Sequence, residues 1–154
     1  MGDAVHRAVV EWSLDGGYFS KGRYSRSHLW SFDGGARVPA SASPHIVREP
    51  FADPKNVDPE EAYIAALSAC HMLWFLDIAR QAGHVVLTYH DCAEGVMAGN
   101  ATGNQWVSTV TLRPQVQWAG NGPEPDALTT LHEEAHARCY LANSVRTSIR
   151  IEPR

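Results

Sequence analysis

The sequence predicts an α+β fold, with elements in the order strands, helix, strands, helix, strand. Residues 1–40 and 84–118 are rich in β-branched and aromatic residues and are punctuated by Gly-containing turns. Between them lies one long apolar stretch with a strong helix-start signal, and a shorter helical stretch precedes a final β-rich segment. Runs of strands separated by single helices, without strict βαβ alternation, argue against a doubly wound parallel sheet.

In order along the chain, Ala4 to Leu14 contains Val-Val-Glu-Trp-Ser-Leu and ends at the turn signal Asp15-Gly16-Gly17. Tyr24 to Phe32 carries spaced aromatics and ends at a second turn, Asp33-Gly34-Gly35. Neither Gly-Gly pair sits in a phosphate-cradling pattern, so both read as turns. A Pro-, Ser- and Ala-rich loop follows from Pro39 to Pro54. Asp58-Pro59-Glu60-Glu61 then opens the first helix: Asp58 caps free N–H groups, Pro59 needs no N–H at the first helical position, and Glu61 completes a capping box. The helix is predicted to run to Gln81 or Ala82 and to stop at Gly83. Its middle is apolar on every side, from Tyr63 through Leu67, Met72, Trp74 and Phe75 to Ile78. Such a helix has no solvent face and must be surrounded, which one small domain can hardly do alone; a second subunit can. Strands are predicted over His84–Ala93, Gly95–Ala101 and Trp106–Trp118, a helix capped by Asp126 over Ala127–Asn143, and a last strand over Val145–Ile151.

The chain has 154 residues, 44% of them hydrophobic, which fits a single domain over 1–154. A net charge of −4 gives no electrostatic footprint for nucleic acid. The apolar run from Ala62 to Leu76 is short for a membrane span, and no signal-peptide core is seen near Met1, so the expected location is cytoplasmic and away from membranes. There, three cysteines are expected to be reduced thiols.

Cys70, mid-helix, and Cys139, near the end of the second helix, are on their own readable as small core hydrophobes. The motifs around them add to this. Asp58-Pro59-Glu60-Glu61 followed by small residues and Ala69-Cys70 resembles the first helix pattern of the OsmC/Ohr thiol peroxidases, and Cys139-Tyr140-Leu141-Ala142-Asn143-Ser144-Val145 resembles their second cysteine motif. The resemblance covers nearly the whole chain, loosely over the first forty residues. It implies an OsmC-like fold, an intertwined homodimer with long helices at its centre, and sites at the subunit interface. It implies that Cys70 reduces an organic hydroperoxide and becomes a sulfenic acid, that Cys139 condenses with it to a disulfide, and that a dithiol such as a lipoylated protein restores both. It implies no cofactor and no metal. An arginine held by Glu60 would keep the Cys70 thiolate ionised; Arg26 lies on a strand in the Ohr-like position and Arg48 in the loop before the helix, and both stay open, with Arg26 preferred.

Two positions depart from the pattern: His71 stands where Phe commonly follows the first cysteine, and Tyr140 where Pro commonly follows the second. His71 reads as a substrate-side proton donor or as a satisfied core histidine, and Trp74 as a residue lining an apolar substrate channel. Cys92 falls in neither motif and reads as strand packing. Two other functions remain open. One is a non-catalytic dimer of the same fold that binds an apolar ligand or partner. The other is a zinc hydrolase through His132-Glu133-Glu134-Ala135-His136, which fits H-E-x-x-H but lacks an evident third ligand, so that this helical face reads first as solvated.

Overall fold

Folding must take the apolar helix out of water. The computed structural model describes residues 2–154. It falls into two compact units, the first ending at Ala62 and the second Tyr63–Arg154.

The first unit holds β1 (Ala8–Glu11), β2 (His28–Phe32) and β3 (Arg37–Ala40), an antiparallel sheet in the order β1-β2-β3. The turn after β2 lies at Asp33-Gly34-Gly35, where Gly35 has φ 91°, a left-handed angle open to glycine. β1 is shorter than the predicted stretch because Trp12 leaves the ladder. Its Nε1 donates to the Ser25 carbonyl at 2.9 Å and its ring packs against Phe19 and Tyr24. After β3 the chain is tied back by Val57 N–H donating to the Pro39 carbonyl (3.1 Å) and Ser41 N–H to the Val57 carbonyl (3.0 Å).

Helix α1 spans Pro59–Gln81, as its start and stop signals predict. The capping box is formed in both directions: Glu61 N–H donates to Asp58 Oδ1 at 2.8 Å, and Asp58 N–H to Glu61 Oε2 at 3.1 Å. At the far end Gly83 turns left-handed at φ 85°, and His84 N–H returns to the Ala79 carbonyl. Beyond the apolar run the helix extends at both ends, so its 23 residues are, by length and composition alone, enough to cross a membrane. That differs from the expectation drawn from the Ala62–Leu76 run. Ser68 and His71 nevertheless hydrogen-bond to the second unit's Asp91 and His132, which ties this helix to protein.

The second unit adds β4 (Val86–Asp91), β5 (Glu94–Gly99), β6 (Gln105–Leu112), β7 (Pro114–Trp118), α2 (Pro125–Arg138) and β8 (Ser148–Ile151). β4 and β7 form an antiparallel pair; β5, β6 and β8 form a second sheet in which β6 and β8 run parallel. The predicted strand Trp106–Trp118 is therefore two strands serving two sheets. The break falls at Arg113, whose N–H donates to Asp91 Oδ1 at 2.6 Å rather than to a ladder, and Pro114 has no N–H to give. α2 begins earlier than predicted, with Pro125 in its first turn, Glu124 at the cap without a side-chain capping bond, and Asp126 inside the helix. It ends at Arg138, short of Asn143: Cys139 is extended at φ −64°, ψ 113°, and a single 3₁₀ turn follows at Ala142–Ser144.

Two apolar clusters cover α1 within this unit. Leu67 packs with Val110 and Leu112 against the β5-β6-β8 sheet, and Phe75, Ile78 and Ala79 pack with Leu131 and Ala135 of α2. Gly95 allows the close approach of α1 to β5, since a Cβ there would meet Ile64 Cδ1 at 2.5 Å.

Removing the cap by Asp58→Ala leaves the first-turn N–H groups unpaired. We expect a loss of about 1 kcal/mol in urea-unfolding free energy, with Asp58→Asn retaining most of it; equal stability of wild type and Asp58→Ala would show that the box contributes nothing.

Candidate active site

On α1, residues 70, 73, 74 and 77 recur at helical spacing and so share one face. With Tyr140 they line a groove of about 330 Å³, apolar except at Asp77. Trp74 and Tyr140 meet edge to face with centroids 5.5 Å apart, and the Arg138 guanidinium lies 5.9 Å from the centre of the Trp74 ring. Asp77 is held by Arg80 and Gln81, and the Arg80 hydrogen bond pulls its carboxyl below the usual range.

Of the two cysteines of the motifs, Cys70 is partly exposed on the wall of this groove and Cys139 is 1% exposed. Burial, and then the neighbouring Cys70 side chain, push the Cys139 thiol up to about 11, against the opposing pull of the Ala142 and Leu141 backbone. Cys139 is thus a neutral thiol at neutral pH. The Ala142 N–H reaches its sulfur at 3.4 Å, held there by the 3₁₀ turn that ends the α2 region.

The other residues singled out in the sequence fall as follows. Trp74 lines the groove, but His71 does not: it is 1% exposed and points into the core. In the first unit, Arg26 donates from NH1 to the carbonyls of Gly22 (2.9 Å) and Tyr24 (2.5 Å) and lies 3.6 Å over the Tyr24 ring. It borders a separate groove of about 500 Å³ walled by Trp12, Phe19 and Tyr24. Among the described residues no ion pair joins Arg26 or Arg48 to Glu60; Arg48 sits 5.8 Å from the Phe51 ring, and the buried Glu60 Oε2 has no hydrogen-bond partner. Cys92 is not strand packing. It is exposed in the short connection after β4, with its sulfur 3.2 Å from His90 Nε2, because neighbouring Asp91 turns inward to Ser68 and Arg113.

The H-E-x-x-H stretch also differs from a solvated face. Glu133 and Glu134 are exposed, but His132 is 3% exposed and faces α1. Its Nδ1 is 3.0 Å from His71 Nε2. The rings lie within 6° of parallel with centroids 5.3 Å apart, the separation of imidazoles joined edge to edge rather than face to face. Phe75 covers the His132 ring at 4.3 Å. His132 is thus committed to His71, and no group of three metal-binding side chains is gathered among the described residues. A signal for this pair is present in the sequence: His132 shares its helical face with Leu131 and Ala135, both buried.

Burial holds both imidazoles neutral. His71 is lowered to about 3, by desolvation first and then by His132 and His136; His132 is lowered to about 4 by desolvation, opposed by Asp91. A lowered histidine means that the unfolded chain takes up protons first. Stability contributed by the pair is full above about pH 6.5, where the unfolded imidazoles titrate, and is lost as pH falls toward 3–4. From pH 7 to 4.5 the wild type should lose several kcal/mol, at about 1.4 kcal/mol per pH unit per histidine. Urea unfolding at both pH values should show a much smaller loss in His71→Phe/His132→Leu. Equal losses in the two proteins would mean that the pair does not titrate between the folded and unfolded states.

Residues 52–154 match the model of the family described as OsmC-like protein. A solved structure of an OsmC-like protein of unknown function from Vibrio cholerae is 44% identical over 99% of this chain and 100% of its own, with a TM-score of 0.95. An organic hydroperoxide resistance protein from Elizabethkingia anophelis (17% identity, 99% and 96% covered, TM-score 0.69) and the organic hydroperoxide resistance protein OhrB of Bacillus subtilis (16%, 98% and 100%, 0.66) share the fold. Among curated proteins none matches the chain. With the family model spanning both the capped helix and the two cysteines, the chain belongs to the OsmC-like family.

Proposed function

We propose that this protein is a homodimeric, thiol-dependent reductase of organic hydroperoxides. The observation that carries the reading is that Cys70 and Cys139, residues 69 positions apart, are neighbours beside an apolar groove that Cys70 lines. The Cys70 thiolate attacks the outer peroxide oxygen, the O–O bond breaks, and the alkoxide leaves as an alcohol after taking a proton. The sulfenic acid on Cys70 is then attacked by the Cys139 sulfur; its proton departs with the sulfenic hydroxyl as water, and a disulfide remains. A dithiol returns both cysteines to thiols and is itself oxidised. The apolar lining by Leu73, Trp74 and Tyr140 favours alkyl or aryl hydroperoxides over hydrogen peroxide, because their tails gain by leaving water.

The family resemblance supplies the activating cation, Arg26, and its holder, Glu60. Glu60 Oε2 is buried without a partner and is free to accept from a guanidinium. The homodimer rests on apolar surface left open on one chain. Leu73 is 62% and Tyr140 70% exposed beside the groove, and Val85 and Leu87 are also exposed. Burying a leucine side chain stabilises by roughly 1.5–3 kcal/mol.

Cys70→Ser is expected to abolish turnover of cumene hydroperoxide with a dithiol reductant. Cys139→Ser should oxidise once, give a sulfenic acid detectable by dimedone, and form no internal disulfide. In the wild type, one equivalent of peroxide should remove two hydrogens from the intact mass and link residues 70 and 139. Full peroxidase activity in Cys70→Ser would sink this reading. Sedimentation should give twice the 16.9 kDa chain mass; a monomer at micromolar concentration would remove the dimer.

A further inference from the structure

Beside the groove the unit buries a polar contact between its two helices. His71 follows Cys70 directly on α1, and His132 precedes Cys139 by seven residues, two turns, on the inward face of α2. We propose that His71 and His132 are positioning residues for disulfide formation, their hydrogen bond fixing how α2 crosses α1 and so holding Cys139 within reach of Cys70.

The proposal rests on the peroxidase reading and deepens it. The side chains of α2 that meet α1 are the apolar Leu131 and Ala135, packed with Phe75, Ile78 and Ala79, and the polar His132, bonded to His71 seven residues before the thiol that neighbours Cys70. Apolar contact alone is non-directional. The near-coplanar rings and the 3.0 Å bond supply the missing direction, and Phe75 over the His132 ring limits its rotation. Locking His71 also sets the rotation of α1 about its axis, since the next residue in a helix projects about 100° away. Cys139 needs such guidance because it lies beyond the last helical residue of α2, with extended backbone angles. Attack on a sulfenic sulfur must close the gap to a bond of about 2.05 Å, which tolerates little misalignment.

His132→Leu removes the bond and keeps an apolar filling; His132→Asn keeps a hydrogen-bonding atom where Nδ1 stands. In a Cys139→Ser background, adding His132→Leu should leave the rate of Cys70 oxidation by cumene hydroperoxide unchanged, since His132 does not line the groove. With Cys139 present, disulfide formation followed by rapid quench and intact mass should slow about tenfold or more in His132→Leu, with sulfenic acid accumulating, and should recover in His132→Asn. A folded His132→Leu that closes its disulfide at the wild-type rate overturns the proposal, as does a slowed His132→Leu that His132→Asn does not rescue. Should His132→Leu fail to fold, His71→Gln against His71→Leu supplies the same comparison through the other partner. Absence of any Cys70 oxidation in the wild type would overturn the peroxidase reading instead, a result that the His132 variants cannot produce.

Discussion

The structure depends on one constraint: the middle of α1 is apolar on every side and yet presents the Cys70 sulfur at a groove. Its first half is covered by the β5-β6-β8 sheet and its second half by α2 and the β4–β7 pair. What remains open includes Ala65, Ala66, Ala69 and Leu73, beside the partly exposed Cys70 and Trp74. Covering that surface completely would bury the thiol away from substrate. Leaving it in water would expose an apolar helix face to aggregation. A groove walled by Tyr140 and closed by the proposed second subunit meets both demands, which is why helix burial and thiol chemistry are one problem here.

Much of this was legible in the residues. Asp58, Pro59 and Glu61 announce the helix start because each satisfies a particular unpaired group, and Gly83 announces the end because the chain needs a left-handed residue there. These are local signals with local causes. The misread boundaries have non-local causes. The stretch Trp106–Trp118 alternates well as one strand, yet Asp91, distant in sequence, captures the Arg113 N–H and splits it between sheets. α2 stops at Arg138 although its sequence continues helical residues, because Cys139 takes extended backbone angles and a separate 3₁₀ turn follows. His132 was hidden by exposed neighbours: two glutamates make the segment look solvated although Leu131 and Ala135 flank the inward face, and its partner His71 lies 61 residues away.

A buried imidazole pair is costly where apolar residues would fill the space. His71 Nδ1 and His132 Nε2 are left without partners, and both rings are desolvated. Ser68, Asp91 and Tyr89 add further polar groups nearby; the Tyr89 hydroxyl is likewise unpaired, with burial and Asp91 pushing its ionisation up. The gain from such groups lies in direction, since hydrogen bonds have preferred angles and apolar contacts do not. Along α1 the polar bonds fall at Ser68 and His71, on either side of Cys70. The helix is thus anchored by directional contacts at the turn that bears the sulfur and by packing elsewhere.

The two thiols also differ in exposure, which bears on the proposed chemistry. With its thiol pushed up to about 11, Cys139 is ionised at pH 7 to the extent of roughly one part in 10⁴. It is 1% exposed, whereas Cys70 lines the groove. On both counts it is a poor first nucleophile toward a peroxide arriving from solvent. In the proposed cycle, water is kept from the sulfur that attacks the Cys70 sulfenic acid, and the proton that Cys139 still holds is the one needed to release water. Burial and protonation of Cys139 thus favour the proposed order, Cys70 before Cys139.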